Sequence, residues 1–143
     1  MFSYDNIFSD YIRGAKSIVL KDPYIRKQHQ LINFIKFCET LMNCHSVQKI
    51  KLVTSYDDNM QKEDIYVKLM DLKQSLLEQD IFLEVTHDTT FHDRELFIDN
   101  DWRVALGMGI DFFKAPDSFY SIGVYDQTLR KCRATKIDFH KLP

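Results

Sequence analysis

The chain is poor in residues that break or staple structure. It holds four Gly and three Pro in 143 residues, which excludes collagen-like and low-complexity organisation. Its three Cys (Cys38, Cys44 and Cys132) cannot all pair, and no signal-peptide pattern precedes them. A reducing, cytoplasmic setting with buried or inert thiols is the expectation. The Cys spacing fits no zinc pattern, so neither a metal nor a cofactor is expected. Gly107-x-Gly109 lacks the third glycine and the strand-to-helix context of a phosphate loop. No apolar run approaches the roughly 20 residues of a membrane span. The net charge of −2 argues against a dedicated nucleic-acid binder.

What is present suits one well-filled domain over residues 1–143. Apolar residues make up 45% of the chain and aromatics 13%, with eleven Phe and seven Tyr. A chain of this size buries about 70% of its unfolded surface and needs no disulfide or metal to fold. Charge is unevenly distributed. Residues 1–60 hold eight Lys/Arg and six Asp/Glu, residues 61–101 four and eleven, and residues 102–143 seven and four. Acidity sits in the middle, so a basic face can meet an anionic partner even though the total is near neutral.

Periodicity gives an order of elements. Ile7, Phe8, Tyr11 and Ile12 share a helical face within Tyr4–Ile12. Ser17–Lys21 is a β-branched run and reads as a buried strand. Asp22-Pro23 reads as a helix start, with Asp as cap and Pro in the first helical position. That helix runs to about Asn43 on a stripe of Leu31, Phe34, Ile35, Cys38, Leu41 and Met42. Val47–Thr54 is a strand, Ser55–Asn59 a polar turn and Lys62–Gln79 a helix burying Ile65, Leu69, Leu72 and Leu76. Strands follow at Ile81–Thr86, Phe91–Ile98 and Trp102–Leu106, the last two flanking an Asp99-Asn100-Asp101 turn. Ser118–Tyr125 and Lys131–Phe139 complete the set. Helices between strands imply crossovers and a partly parallel sheet, and the hairpins add antiparallel strands. The fold class is α/β, a mixed sheet covered by helices.

The most specific local pattern is His92-Asp93-Arg94-Glu95-Leu96-Phe97-Ile98-Asp99, or H-x-R-x4-D. On a strand, His92 and Arg94 point to one face. There a guanidinium can grip phosphate oxygens while the imidazole attacks phosphorus or moves a proton. A strand with a polar face and Asp99 simply making the turn would look the same.

H-x-R-x4-D resembles the H-x-K-x4-D signature of the phospholipase D superfamily. More closely, the chain resembles the C-terminal phospholipase-D-like domain of the MIT-domain-containing protein family. The islands that carry this are Tyr4-Asp5-Asn6-Ile7-Phe8, Asp22-Pro23-Tyr24-Ile25-Arg26 with His29-Gln30, and His92-Asp93-Arg94-Glu95. Trp102 and Gly107-x-Gly109-x-Asp111-Phe112-Phe113-Lys114 complete them. The resemblance implies a half of a phospholipase D fold that binds acidic phospholipid membranes, phosphoinositides included, without catalysis. It implies work at ESCRT-III-linked membrane remodelling in cytokinesis. Contact with ESCRT-III itself is expected only through an N-terminal helical module that these 143 residues do not contain. The domain would then be a peripheral membrane protein of the cytoplasm.

Phospholipase D chemistry needs two facing motifs, one His attacking phosphorus and the other protonating the leaving oxygen. One motif per chain leaves only a homodimer as a route to a phosphodiesterase or nuclease, with His92, Arg94 and Asp99 as its machinery and nucleic acid as its partner. Two departures oppose this. Arg94 stands where the superfamily has Lys. The G-S-x-x-N segment becomes Gly107-Met108-Gly109-Ile110-Asp111, so a carboxylate replaces an amide that should grip phosphate. Binding without hydrolysis is the favoured reading, with His92 and Arg94 as a residual anion pocket. Two further anion candidates are Arg26 and His29, one turn apart at the expected helix start, and the basic run Arg130, Lys131 and Arg133, followed by Lys136, His140 and Lys141. A basic edge strand also discourages edge-to-edge pairing.

Overall fold

The computed structural model describes residues 3–99, 101–113, 120, 122 and 135–143. The expected strand at Ser118–Tyr125 lies outside these residues except for positions 120 and 122. Helix α1 (Tyr4–Ile12) is capped by Ser3, whose hydroxyl accepts from the Asn6 amide at 3.1 Å. It buries Tyr4, Phe8 and Ile12, spaced four residues apart along one face. Strand β1 (Ser17–Lys21) follows as expected. Helix α2 spans Gln28–Met42 and not Asp22 onward. Residues 23–26 form a turn first, and the Gln30 side chain accepts from the Arg26 and Lys27 amides at 3.0 Å each. A glutamine reaching back in this way satisfies the orphan donors of the first turn. Leu31, Phe34, Phe37, Cys38 and Leu41 form the buried face of α2, and Ile35, expected in that stripe, is 40% exposed. Phe37 takes the inner place because the α1 rings of Tyr4 and Phe8 meet it edge-on at 5.7 and 5.6 Å.

Strand β2 (Lys49–Thr54) leads to α3 (Asn59–Leu77). Asp58 caps α3 by accepting from the Gln61 amide at 2.8 Å, and Gln61 returns to the Asp57 amide at 2.7 Å. Helix α3 buries Ile65, Leu69 and Leu76. Strands β3 (Phe82–His87), β4 (Glu95–Ile98), β5 (Trp102–Leu106) and β6 (Ile137–Lys141) complete the described elements.

The six strands form one mixed sheet in the order β3-β2-β1-β4-β5-β6. The β1–β2 and β2–β3 pairs are parallel; β4 runs antiparallel to β1, and β5 and β6 continue antiparallel. Register places Leu20, Leu52, Val85, Leu96, Val104 and Phe139 in one row. This face meets the helices. Tyr11 of α1 stacks on Phe139 at 3.8 Å and meets the Trp102 ring edge-on at 5.0 Å, so Trp102 anchors packing. The next row, on the opposite face, is Lys21, Val53, Thr86, Glu95, Ala105 and Asp138. Alternation along each strand produces this split between an apolar and a charged face.

Strand directions gather the loops. The C-terminal ends of β1, β2, β3 and β5 and the N-terminal ends of β4 and β6 lie at one edge of the sheet. Ligands of α/β sheets sit outside the carboxyl ends of parallel strands, where the connections diverge.

Candidate functional site

Asp22 leaves the end of β1 at that edge. Its amide donates to the Val53 carbonyl at 2.9 Å, and its Oδ1 accepts from the Tyr24 amide at 2.9 Å. The carboxylate is therefore spent on a turn and does not cap α2. Pro23 carries no N–H, but its carbonyl accepts from Arg26 Nε at 2.9 Å and from the Ser55 hydroxyl at 2.6 Å. The Arg26 guanidinium also pairs with Asp57. Arg26 thus ties the 23–26 turn to the β2–α3 loop and does not stand at a helix N-terminus as expected.

Asp22 is 2% exposed. Burial raises its pKa above the usual carboxylate range; the Tyr24 amide and the Arg94 charge oppose this, and Asp111 adds to it. Arg94 lies beside it, with Nε 3.9 Å from Asp22 Oδ1. The guanidinium carbon sits 4.4 Å from the centre of the Tyr24 ring, a cation–π contact that helps hold it there. Nη1 approaches the Gly107 carbonyl at 3.5 Å, and the Arg94 side chain keeps a quarter of its surface exposed.

The Gly107–Asp111 segment brings backbone against Asp22, Arg94 and Lys136. Gly109 has φ +59°, and a β-carbon there would lie 2.1 Å from Asp22 Oδ2. Gly107 donates to the Lys136 carbonyl at 2.8 Å, and a β-carbon there would lie 3.1 Å from that oxygen. Both glycines serve close backbone approach. Asp111 turns toward α2, where Asn33 Nδ2 donates to its Oδ1 at 2.8 Å and His29 Nε2 lies 3.5 Å from Oδ2. His29 therefore faces a carboxylate, as Arg26 does.

His92 and Arg94 are not on a strand. The β1–β4 ladder ends at Lys21–Glu95 because β1 gives way to the turn at Asp22, leaving 91–94 as a loop. Arg94 keeps one sheet-like bond, its carbonyl accepting from Leu106 at 2.9 Å. His92 is exposed. Even so, His92, Arg94, Tyr24 and Lys136 line one open cavity of about 440 Å³, floored by Ala105 and Leu106. Asp99 lies at the other end of β4. Its φ is +49°, and its Oδ1 accepts from the Lys16 and Ser17 amides at 3.0 and 2.8 Å. This carboxylate secures the start of β1, at the opposite end of β4 from His92. Arg130, Lys131 and Arg133 lie outside the described residues. Lys136 and His140 are exposed, and the Lys141 ammonium sits 5.0 Å from the Trp102 ring.

The family described as "Phospholipase D-like domain at C-terminus of MIT" matches residues 2–141. The chain belongs to this family. A curated relative, mouse MIT domain-containing protein 1, is 39% identical over 143 residues; the match covers 97% of this chain and 57% of that protein. The MIT-associated domain is thus a mixed-sheet phospholipase-D-like unit whose motif loop borders the cavity. Sequence reasoning took Asp22 only as a helix cap and did not single out Asn33; both are buried. Asp22-Pro23 and Asn33 are visible in the sequence, but their partners Arg94 and Asp111 are more than seventy residues away. Among the described residues, no helix is long and apolar enough to cross a membrane.

Proposed function

We propose that this domain binds the phosphate groups of acidic phospholipids at the membrane surface and does not hydrolyse them. The observation that carries this reading is the placement of Arg94. It is held over Tyr24 beside buried Asp22 and borders a cavity shared with His92 and Lys136. A guanidinium held by these contacts at an open rim suits bidentate phosphate contact. Hydrolysis needs preorganised donors on the inner side of the phosphate. Here the groups packed behind Arg94 include the buried carboxylate of Asp22, with Asp111 electrostatically coupled to it, and these oppose an oxyanion.

Each Lys or Arg close to an anionic bilayer contributes about 1 kcal/mol, so binding is reversible and salt-sensitive. The domain acts as a cytoplasmic peripheral membrane module in ESCRT-III-linked remodelling and cytokinesis, with ESCRT-III contact made by an N-terminal MIT module of the longer protein. The mouse relative's name and the extra length of that protein support the MIT module alone.

Cosedimentation with vesicles tests the reading. Binding is expected with phosphatidylserine or phosphoinositide present, and Arg94→Ala lowers it. Binding that persists unchanged without acidic lipid overturns the lipid assignment. Turnover of a phosphodiester that disappears in His92→Ala overturns the non-hydrolytic one.

A further inference from the structure

The sheet ends at β3, which has β2 on one side and no strand on the other among the described residues. The Phe82 amide donates to the Gln48 carbonyl at 3.0 Å and the Asp88 amide to the Thr54 carbonyl at 2.8 Å. In a parallel ladder of this phase, Phe82, Glu84 and Thr86 turn their N–H and C=O groups toward β2. Those of Leu83, Val85 and His87 then turn to the open side. Such an edge is a template for a further strand.

Helix α3 lies along this edge and presents one stripe to it. Lys62, Tyr66, Met70, Lys73 and Leu77 recur at steps of three and four residues. Tyr66 and Leu77 are 56% and 51% exposed. The two lysines mark the two ends of β3. The Lys73 ammonium sits 5.0 Å from the centre of the Phe82 ring. The Lys62 ammonium sits 5.0 Å from the Tyr56 ring, which in turn meets His87. Lengths agree with this: the helix rises about 16.5 Å from Lys62 to Lys73, and the strand spans about 16.5 Å from Phe82 to His87. Neither lysine makes an ion pair among the described residues.

Lysine beside an edge deters indiscriminate pairing, and here the deterrence selects by charge. Two copies joined antiparallel through β3 would set Lys62 of one beside Lys73 of the other, so a second copy is repelled. An acidic segment is attracted to the same two positions. We propose that the β3 edge binds an extended acidic peptide as an added strand. Its backbone pairs with Leu83, Val85 and His87, its apolar side chains rest on Tyr66 and Leu77, and its carboxylates meet Lys62 and Lys73. The site lies at the other side of the sheet from β5 and β6, which border the cavity, and is independent of the lipid reading.

The probe is a synthetic peptide, acetylated and amidated, with two valines alternating with threonines and a glutamate at each end. It is titrated into the whole chain and followed by amide NMR. Shifts and slowed exchange at Leu83, Val85 and His87 are expected. A twin peptide with lysine at each end binds about fivefold more weakly. Lys62→Glu with Lys73→Glu reverses that order; the comparison of twins on the unaltered chain stands whatever the fold of this variant. N-methylation of one alternate set of peptide residues abolishes binding, because those amides pair with β3, and methylation of the other set does not. Absence of shifts at β3, equal binding of the twins, or binding that survives both methylations overturns the proposal. Protection of the same amides that grows with protein concentration alone assigns the edge to a second copy and also overturns it.

Discussion

Gly109 presses its α-carbon against the Asp22 carboxylate so closely that a β-carbon would come within 2.1 Å of Oδ2. Gly109→Ala must therefore displace the buried carboxylate, and it also strains a backbone at φ +59°. The expected destabilisation is about 2–5 kcal/mol, the sum of a left-handed penalty and overpacking. Urea denaturation measures it. The double variant Gly109→Ala with Asp22→Gly relieves the clash but not the backbone strain, so it recovers part of the loss contributed by Gly109→Ala. Additivity of the two changes would contradict the contact.

Asp22 makes stability depend on pH in an unusual direction. Its folded pKa is raised by burial, so the native state holds this proton more tightly than the unfolded chain. Stability from the group is fully present below the unfolded value of about 3.9 and is lost as pH rises through the folded value. Asp22→Asn removes that slope. Thermal melts of both proteins from about pH 4 upward should show wild type losing stability relative to the variant.

His87 titrates with the opposite consequence. Burial, then the Lys62 charge, lowers its pKa, and Nε2 is buried with no hydrogen-bond partner among the described residues. The ring packs edge-on against Tyr56 at 5.6 Å. The unfolded chain takes up the proton first, so stability falls as pH drops below about 6.5. His87→Phe keeps the ring contact and flattens that limb. Equal pH slopes for the two proteins between about pH 7.5 and 5.5 would refute it.

Asp111→Asn replaces the inner carboxylate by an amide. Anionic vesicles should bind the variant about two- to fivefold more tightly, because a negative charge coupled to Asp22, the partner of Arg94, is removed. Asn33→Ala has a different effect: it removes the 2.8 Å donor to Asp111 and costs about 1–3 kcal/mol of stability. Cosedimentation and denaturation separate the two outcomes.

Local pattern went furthest where local forces decide. Tyr4–Ile12, Ser17–Lys21 and Trp102–Leu106 have the boundaries their periodicity indicates. It failed at helix starts. Asp22-Pro23 carries cap chemistry, but Asp22 is used by Tyr24, and Ser55 and Arg26 stitch the turn from outside the helix. Asp58-x-x-Gln61 is a reciprocal cap, and reading it as a loop delayed α3 by three residues. The His92–Arg94 motif was legible as a pair, but not its placement in a loop, since that depends on where β1 ends. Asp99 shows the limit of spacing: four intervening residues of strand carry it to the far end of the sheet.

Gly107 puts main chain where most cavities put side chains. Gly107, which lines the cavity, rests on Lys136, and Gly109 rests on Asp22, so that side has nothing to trim and no room to fill. Divergence in what the cavity accepts must then arise on the facing rim and floor, at Arg94, Lys136, Ala105 and Asp138. Relatives with a different ligand would differ there first.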